Sequence, residues 1–270
     1  MFIAEIGINH NGDLKLAKKL IKIAKQAGAD VVKFQKRTPR LCVPESEWDR
    51  ERSTPWGTMS YIDYKEAIEF NRKEYNIIDR YCKKIGIQWT ASVWDELSLD
   101  FMLEYDVPFI KVPSALVTDL NLLARIREKK MRVVLSTGMS TMEEITAAVD
   151  QLKGCPITLL SCNSSYPTID EEIDLNTMIT LKETFNFPVG YSGHETDLLP
   201  SIIAKAMGAE IIERHITLDK EMWGTDHKAS LNPKELKELI SALNRVDRIK
   251  GLYSVKVYQS EEKIRNKLRK

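Results

Sequence analysis

Eight short runs of β-branched and aromatic residues, separated by stretches of helical periodicity, leave few folds open to this chain. The runs are Phe2–Ile6, Asp30–Phe34, Ile87–Ala91, Phe109–Val112, Arg132–Leu135, Ile157–Leu160, Pro188–Tyr191 and Glu210–Ile212. Val, Ile and Phe dominate them, the pattern of strands covered on both faces in a parallel sheet. The segments between them have recognisable helix ends. Asp13 caps a helix with Leu16, Leu20, Ile23, Ala24 and Ala27 on one face, stopping at Gly28. Thr141-Met142-Glu143-Glu144 is a capping box ahead of Ile145, Ala148, Val149 and Leu152. Asn232-Pro233 opens the last helix, which carries Leu236, Leu239, Ile240, Leu243 and Val246. Strand–helix alternation predicts βαβ units, and eight of them predict an α/β fold closed into a single-domain (β/α)8 TIM barrel over residues 1–250. No GxGxxG follows the first run, which disfavours an open dinucleotide-binding sheet. A basic tail, residues 251–270, follows the barrel, and Ser260-Glu261-Glu262 can start a short helix there.

Charge and cysteine usage narrow the function classes. Lys+Arg 40 against Asp+Glu 39 leaves a net charge of +1, without the basic excess of a nucleic-acid or acidic-membrane binder. No apolar run approaches the roughly 18–20 residues needed to span a bilayer. The start, Met1-Phe2-Ile3-Ala4-Glu5, lacks the basic and apolar regions of a signal peptide. Cys42, Cys82, Cys155 and Cys162 form no CxxC pair. A soluble, reduced, cytoplasmic protein is expected. The segment Arg37–Met59, with Pro39, Pro44, Pro55, Trp48 and Trp56, interrupts the rhythm; a loop of that length reads as a lid, a binding loop or an interface.

In a (β/α)8 barrel the active site lies at the C-terminal ends of the strands. Those ends carry Glu5 and Asn9-His10; Lys33 and Gln35; Ser92 and Asp95; Lys111 and Ser114; Ser136-Thr137-Gly138; Asn163-Ser164; Ser192 and His194; and Glu213 and His215. Two lysines and a ring of serines suit a phosphate pocket, the lysines supplying charge and the serines hydroxyl or backbone donors. Taken singly, each serine also reads as a loop hydroxyl and each lysine as a snorkelling side chain. Of the four histidines, His194 and His215 end neighbouring strands. They can converge on a divalent ion of the Mn2+, Co2+ or Zn2+ type that also holds substrate oxygens, or serve as hydrogen-bonding loop residues.

Eight motifs then occur in order. They are AEIGINHNGD (Ala4–Asp13), VVKFQ (Val31–Gln35), IKVPS (Ile110–Ser114), LSTGMS (Leu135–Ser140), SYPT (Ser165–Thr168), GYSGHE (Gly190–Glu195), ERHIT (Glu213–Thr217) and GTDHKASL (Gly224–Leu231). Together they resemble the sialic acid synthase family, the phosphoenolpyruvate-dependent nonulosonic acid synthases. The resemblance implies a barrel that condenses phosphoenolpyruvate with an N-acetylmannosamine-like aldose, releasing phosphate by C–O cleavage. Carried over by motif, it implies that Lys33, Ser92, Lys111, Ser114, Ser136, Ser164, Tyr166 and Ser192 hold phosphoenolpyruvate. His194 and His215 would bind a divalent metal, with Mn2+ first and Co2+ or Mg2+ as alternatives. Glu5, Gln35 and Asp226 would lie at the sugar and the attacking water, with Asn9 in the first motif beside them. A homodimer is the assembly this resemblance implies.

Three departures bear on the acceptor. Members of the family continue into a small antifreeze-like domain that lends an arginine to the partner's sugar site, whereas this chain stops at Lys270. Arg40, Arg50, Arg52, Trp48 and Trp56 of the long loop are then candidates to hold the sugar, if that loop is not an oligomer contact. Leu116 stands where the family has a glutamate, so the acceptor half is expected to differ. Ser92 and Ser164 stand where threonine and asparagine are frequent, keeping a hydrogen-bonding group and the phosphoenolpyruvate half. Two other readings stay open: a synthase of a related 3-deoxy sugar acid taking a phosphorylated aldose, for which Lys36, Arg37 and Arg40 are the available cations, and a non-catalytic barrel in polysaccharide synthesis.

Overall fold

Eight parallel strands close on themselves in the computed structural model, which describes residues 1–251 and 254–269. In chain order the elements are β1 (Phe2–Gly7), α1 (Leu14–Ala27), β2 (Val31–Lys36), α2 (Pro39–Cys42), β3 (Glu51–Thr54), β4 (Gly57–Ser60), α3 (Tyr61–Ile68), α4 (Arg72–Ile85), β5 (Gln88–Val93), α5 (Glu96–Met102), β6 (Ile110–Val112) and α6 (Leu120–Glu128). There follow β7 (Val133–Ser136), α7 (Met142–Gln151), β8 (Ile157–Cys162), α8 (Asn176–Phe185), β9 (Val189–Gly193), α9 (Leu199–Ala206), β10 (Ile212–His215), α10 (Pro233–Lys250) and α11 (Glu262–Leu268). The barrel runs β1-β10-β9-β8-β7-β6-β5-β2, so it is β1 that closes the ring between β2 and β10. Every expected strand is present, and the expected caps hold: Asp13 accepts from the amides of Lys15 and Leu16, while Thr141 and Asn232 each form a capping box.

Side-chain alternation along the strands builds the site on top of an apolar plug. Ile3, Val31, Phe109, Val134, Leu160 and Ile211 form one buried cluster inside the barrel. Strand side chains repeat with period two, so the inward residues one step further along are Glu5, Lys33, Lys111, Ser136, Cys162 and Glu213. Six apolar residues floor the barrel, and five polar ones with the Cys162 thiol stand above them. Burying each apolar side chain is worth about 1.5–3 kcal/mol, and that floor keeps water from the lysine stems beneath the cup. A second cluster, containing Leu20, Ile78, Leu123, Ile145, Leu181 and Leu239, joins the outer faces of the strands to the helices.

The segment between β2 and β5 is more ordered than its sequence suggests. It holds a short helix, the antiparallel hairpin β3–β4, and α3. The hairpin strands, ERST and GTMS, contain almost no apolar residues, so a search for hydrophobic runs passes over them. Thr54 closes the turn by donating to the Gly57 carbonyl at 2.7 Å, and Gly57 takes φ 113°, which favours a residue without a Cβ. Trp56 at the tip meets Trp223 edge to face at 5.8 Å, fastening the hairpin to the loop after β10. In the tail the short helix forms as α11; Leu252, Tyr253 and Lys270 of the 251–270 segment lie outside the described residues.

Candidate active site

Parallel registry sets the charged side chains side by side. Glu5 pairs across the sheet with both Lys33 and His215, Ser92 with both Gln35 and Lys111, and Glu213 with Ser192. Lys33 Nζ lies 2.8 Å from Glu5 Oε2 and 3.6 Å from Glu213 Oε1. Lys111 Nζ donates to Ser136 Oγ at 2.7 Å and to the Val112 carbonyl at 3.1 Å, with Glu213 Oε1 at 3.8 Å. Ser192 donates to Glu213 Oε1 at 3.1 Å, and the Gln35 amide to Glu5 Oε1 at 3.0 Å. All of these side chains are buried or half-buried.

Burial and neighbouring charge divide the titration of the four ions. Burial pushes the Glu5 carboxyl up to about 7, against the pull of Lys33, and Glu213 adds to the rise. Glu213 is equally buried, yet Lys111 and Lys33 together hold it below the usual carboxylate range. Burial opposes the charge on Lys33 but Glu213 and Glu5 outweigh it, so its pKa is raised; for Lys111 burial wins and the pKa is lowered. Two ammonium groups thus face two carboxylates, and an incoming polyanion brings charge that the cup alone does not match.

The cup opens into a cavity of about 200 Å3. Glu5, Lys33, Gln35, Ser92, Lys111, Ser114, Ser136, Ser164, Tyr166, Ser192, His194 and His215 all line it. Gly138 draws two of the serines together: its amide donates to Ser114 Oγ at 3.0 Å, and a Cβ there would lie 2.6 Å from Ser164 Oγ. Two of the residues expected at the site stand outside this lining. Asn9 is buried, its amide donating to the Ile216 carbonyl at 2.9 Å and to Ser230 Oγ at 2.8 Å, which ties the end of β1 to the segment after β10. Asp226 stands behind the imidazoles, with Oδ2 3.8 Å from His215 Nδ1.

His194 and His215 do converge, their ring centroids 5.4 Å apart. Tyr166 packs over His194 at 4.0 Å and meets His215 edge to face at 5.6 Å. His194 Nδ1 lies 2.6 Å from the Asn163 carbonyl, a contact that needs the proton on Nδ1 and that, together with Cys162, raises the pKa of the ring in spite of its burial. His215 is held neutral, its pKa depressed to about 3 by burial, and its Nδ1 is buried without a hydrogen-bond partner. Among the described residues no three His, Cys, Asp or Glu side chains are grouped as a closed metal site. A neutral His215 with an orphaned buried nitrogen, and a His194 whose Nε2 is open once its second proton is displaced, fit an ion that takes its remaining ligands from substrate and water. Such an ion would also supply the positive charge that the balanced cup lacks.

Glu213, Trp94 and Cys162 are among the lining residues that had no assigned role in the sequence reading. Glu213 carried a usable signal, since it sits two residues before His215 on one strand and must share its inward face. Trp94 gave none, because its role is to donate from the indole nitrogen to Ser92 Oγ at 3.0 Å. His10 and His227 belong to the framework: the ring of His10 stacks on Phe70 at 4.0 Å, and His227 Nδ1 lies 2.7 Å from Thr217 Oγ1.

A closed parallel barrel with a lysine–serine cup beside two imidazoles defines a polyanion-handling (β/α)8 enzyme site. The comparisons make the class particular. Residues 20–254 match the model of the NeuB family, and this chain belongs to that family. It is 39% identical over 256 residues to the human N-acetylneuraminate-9-phosphate synthase, covering 92% of this chain and 70% of that protein. It is 38% identical over 277 residues to the N,N'-diacetyllegionaminic acid synthase of Campylobacter jejuni, covering 100% of this chain and 83% of the relative. Among solved structures, the N-acetylneuraminic acid synthetase of Leptospira borgpetersenii, in complex with citrate, superposes with a TM-score of 0.88 at 32% identity, covering 100% of this chain and 92% of that one.

Proposed function

We propose that this protein condenses phosphoenolpyruvate with the open-chain form of an N-acetylmannosamine-like aldose, giving a nonulosonic acid and inorganic phosphate. The observation that carries this reading is the buried set Lys33, Lys111 and Glu213 beside two convergent imidazoles, in a chain whose relatives are named as nonulosonic acid synthases. Lys33 and Lys111 bind the phosphate and carboxylate, and Ser114, Ser136, Ser164 and Ser192 supply neutral donors around them. Gln35 faces the aldose, Tyr166 packs over His194 on the phosphoenolpyruvate side, and Asp226, outside the lining, acts on the aldose through His215. His194 and His215 would hold a divalent ion, Mn2+ in the first instance, which supplies Lewis-acid polarisation of the aldehyde.

The enol carbon attacks the aldehyde carbon and forms the new C–C bond, leaving the aldehyde oxygen to take up the proton that the added water releases. Water adds at the phosphate-bearing carbon and gives a proton to Glu5, whose pKa near 7 suits that exchange. The C–O bond to phosphate then breaks as the added hydroxyl becomes the new carbonyl and gives its proton to the departing group, whose charge Lys33 and Lys111 stabilise. Holding both reactants in one cavity can contribute up to about 7–11 kcal/mol in ideal cases. The proposed setting is cytoplasmic, and the proposed assembly is a homodimer; among the described residues no helix is long and apolar enough to cross a membrane. Product masses from phosphoenolpyruvate, Mn2+ and a panel of 2-acetamido and 6-deoxy hexoses test the reaction. With phosphoenolpyruvate labelled by 18O at the bridging position, the label is expected in the released phosphate. Phosphate retaining none of it, or no sugar acid from any aldose, overturns the proposal.

A further inference from the structure

A second set of cations stands beside the cup, on the side formed by the end of β2, the hairpin and α3. Arg37 immediately follows β2 and stacks its guanidinium over the Trp94 ring at 3.7 Å, and Trp94 lines the cavity. Arg52, on β3, lies over Tyr64 at 4.5 Å and over Trp223 at 5.1 Å. Lys65, on α3, stands 5.4 Å from the centre of the same Tyr64 ring. All three are only partly exposed.

What distinguishes them is that no carboxylate reaches their charged ends as an ion pair; Glu69, which accepts from the Arg37 backbone amide at 3.3 Å, and Asp226 act on Arg37 and Lys65 from further away. The neighbouring cations are neutralised: Lys36 by Glu69 at 2.6 Å, Arg40 by Glu66 at 2.7 Å and Arg50 by Glu47 at 3.2 Å. Among the described residues no carboxylate lies within ion-pair distance of Arg37, Arg52 or Lys65, and Arg52 Nε is buried without any partner. Burial, with the charges of Arg37 and Arg52, lowers the pKa of Lys65 to about 8 against the opposing pull of Asp226 and Glu69. Three like charges gathered on an aromatic wall cost free energy unless an anion joins them. Asp226 ties the set to the cup, being 3.8 Å from His215 and close enough to Arg37 to feel its charge.

We infer that Arg37, Arg52 and Lys65 receive a phosphate group on the acceptor, so that the aldose used is a 2-acetamido hexose carrying a terminal phosphomonoester rather than the free sugar. This rests on the condensation proposed above and narrows its substrate. The aldehyde carbon must meet the enol carbon beside the imidazoles, so the far end of the open chain, with its terminal oxygen, is the part that reaches across Asp226 towards the hairpin. A dianionic phosphate there meets three unpaired donors, two of them guanidinium forks.

The test compares kcat/KM for N-acetylmannosamine and N-acetylmannosamine 6-phosphate at saturating phosphoenolpyruvate and Mn2+. The expected ratio is at least about 100-fold in favour of the phosphate ester, since charge-assisted pairs are each worth roughly tenfold or more. Arg52→Met and Lys65→Met should each cut that ratio about tenfold, and Arg52→Lys should restore part of it. A ratio near one in the unaltered protein overturns the inference with no variant required. A parallel fall for both aldoses in the variants, leaving the ratio intact, also overturns it and makes the cluster structural. Failure to release phosphate with either aldose is a different result, because it sinks the condensation itself.

Discussion

Lys111 is the residue on which phosphoenolpyruvate binding turns. It is 2% exposed, donates to Ser136, and has its pKa lowered by burial, so an anion beside it relieves a cost already present in the free protein. Lys111→Met is expected to reduce kcat/KM for phosphoenolpyruvate by about 100- to 1,000-fold, with thermal unfolding still cooperative; an unchanged kcat/KM would remove Lys111 from the pocket. Glu5 sets the pH response. Its carboxyl is raised to about 7, so it is protonated below that pH and ionised above it. A group that takes a proton from water works only when ionised, and kcat/KM, which reports the free protein, should therefore rise with pH through about 7 and level off. In Glu5→Gln that limb should vanish and the rate should fall by about 100- to 10,000-fold. A wild-type limb surviving in the variant would assign the titration elsewhere.

At the scale of elements, the loop that carries His194 is held from outside the barrel. Arg214 lies between the inward-facing Glu213 and His215 and so points the other way, where it is 0% exposed. It pairs with Glu195 at 2.7 Å, donates to Ser201 at 3.0 Å and to the carbonyls of Asp197 and Glu195, while Tyr191 donates to the other Glu195 oxygen at 2.8 Å. Arg214→Met leaves Glu195 buried without its cation, a loss on the order of 3–5 kcal/mol. A Tm roughly 10 °C lower is expected in calorimetry; a shift under about 2 °C would show that water replaces the arginine. The same strand shows which features can be read from sequence. A run of apolar residues announces β10 and period two assigns Glu213 and His215 to one face, because both follow from local geometry. The hairpin could not be found that way: its strands are polar, and its tip is fixed by Trp223, far away in the chain. The cluster of Arg37, Arg52 and Lys65 was equally hidden. Lys36, Arg37 and Arg40 look alike as a basic run, and only the fold pairs Lys36 and Arg40 with acids on and beside α3 while leaving Arg37 open.

For the whole molecule, the barrel is a means of spacing strand ends, and its two ends divide stability from chemistry. The floor of Ile3, Val31, Phe109, Val134, Leu160 and Ile211 packs without polar groups, whereas the level above holds two lysines, two glutamates and two imidazoles in one cavity. Glu213 Oε2 and His215 Nδ1 remain buried there without hydrogen-bond partners, so the free protein carries a cost that bound ligands would remove. A ligand that binds only the folded state stabilises it by mass action, by about 2.7 kcal/mol at one hundred times its Kd. Mn2+ added to chelator-treated protein should therefore raise Tm by roughly 5–10 °C, before any substrate is present. His194→Ala and His215→Ala should each abolish that shift, and phosphoenolpyruvate should enlarge it in the unaltered protein, because the anion supplies ligand oxygens and matches the added charge. Equal shifts in the alanine variants would place the ion elsewhere. Full turnover by chelator-treated protein would leave the aldehyde to be polarised by the cup's own donors, with the imidazoles acting as hydrogen-bonding groups.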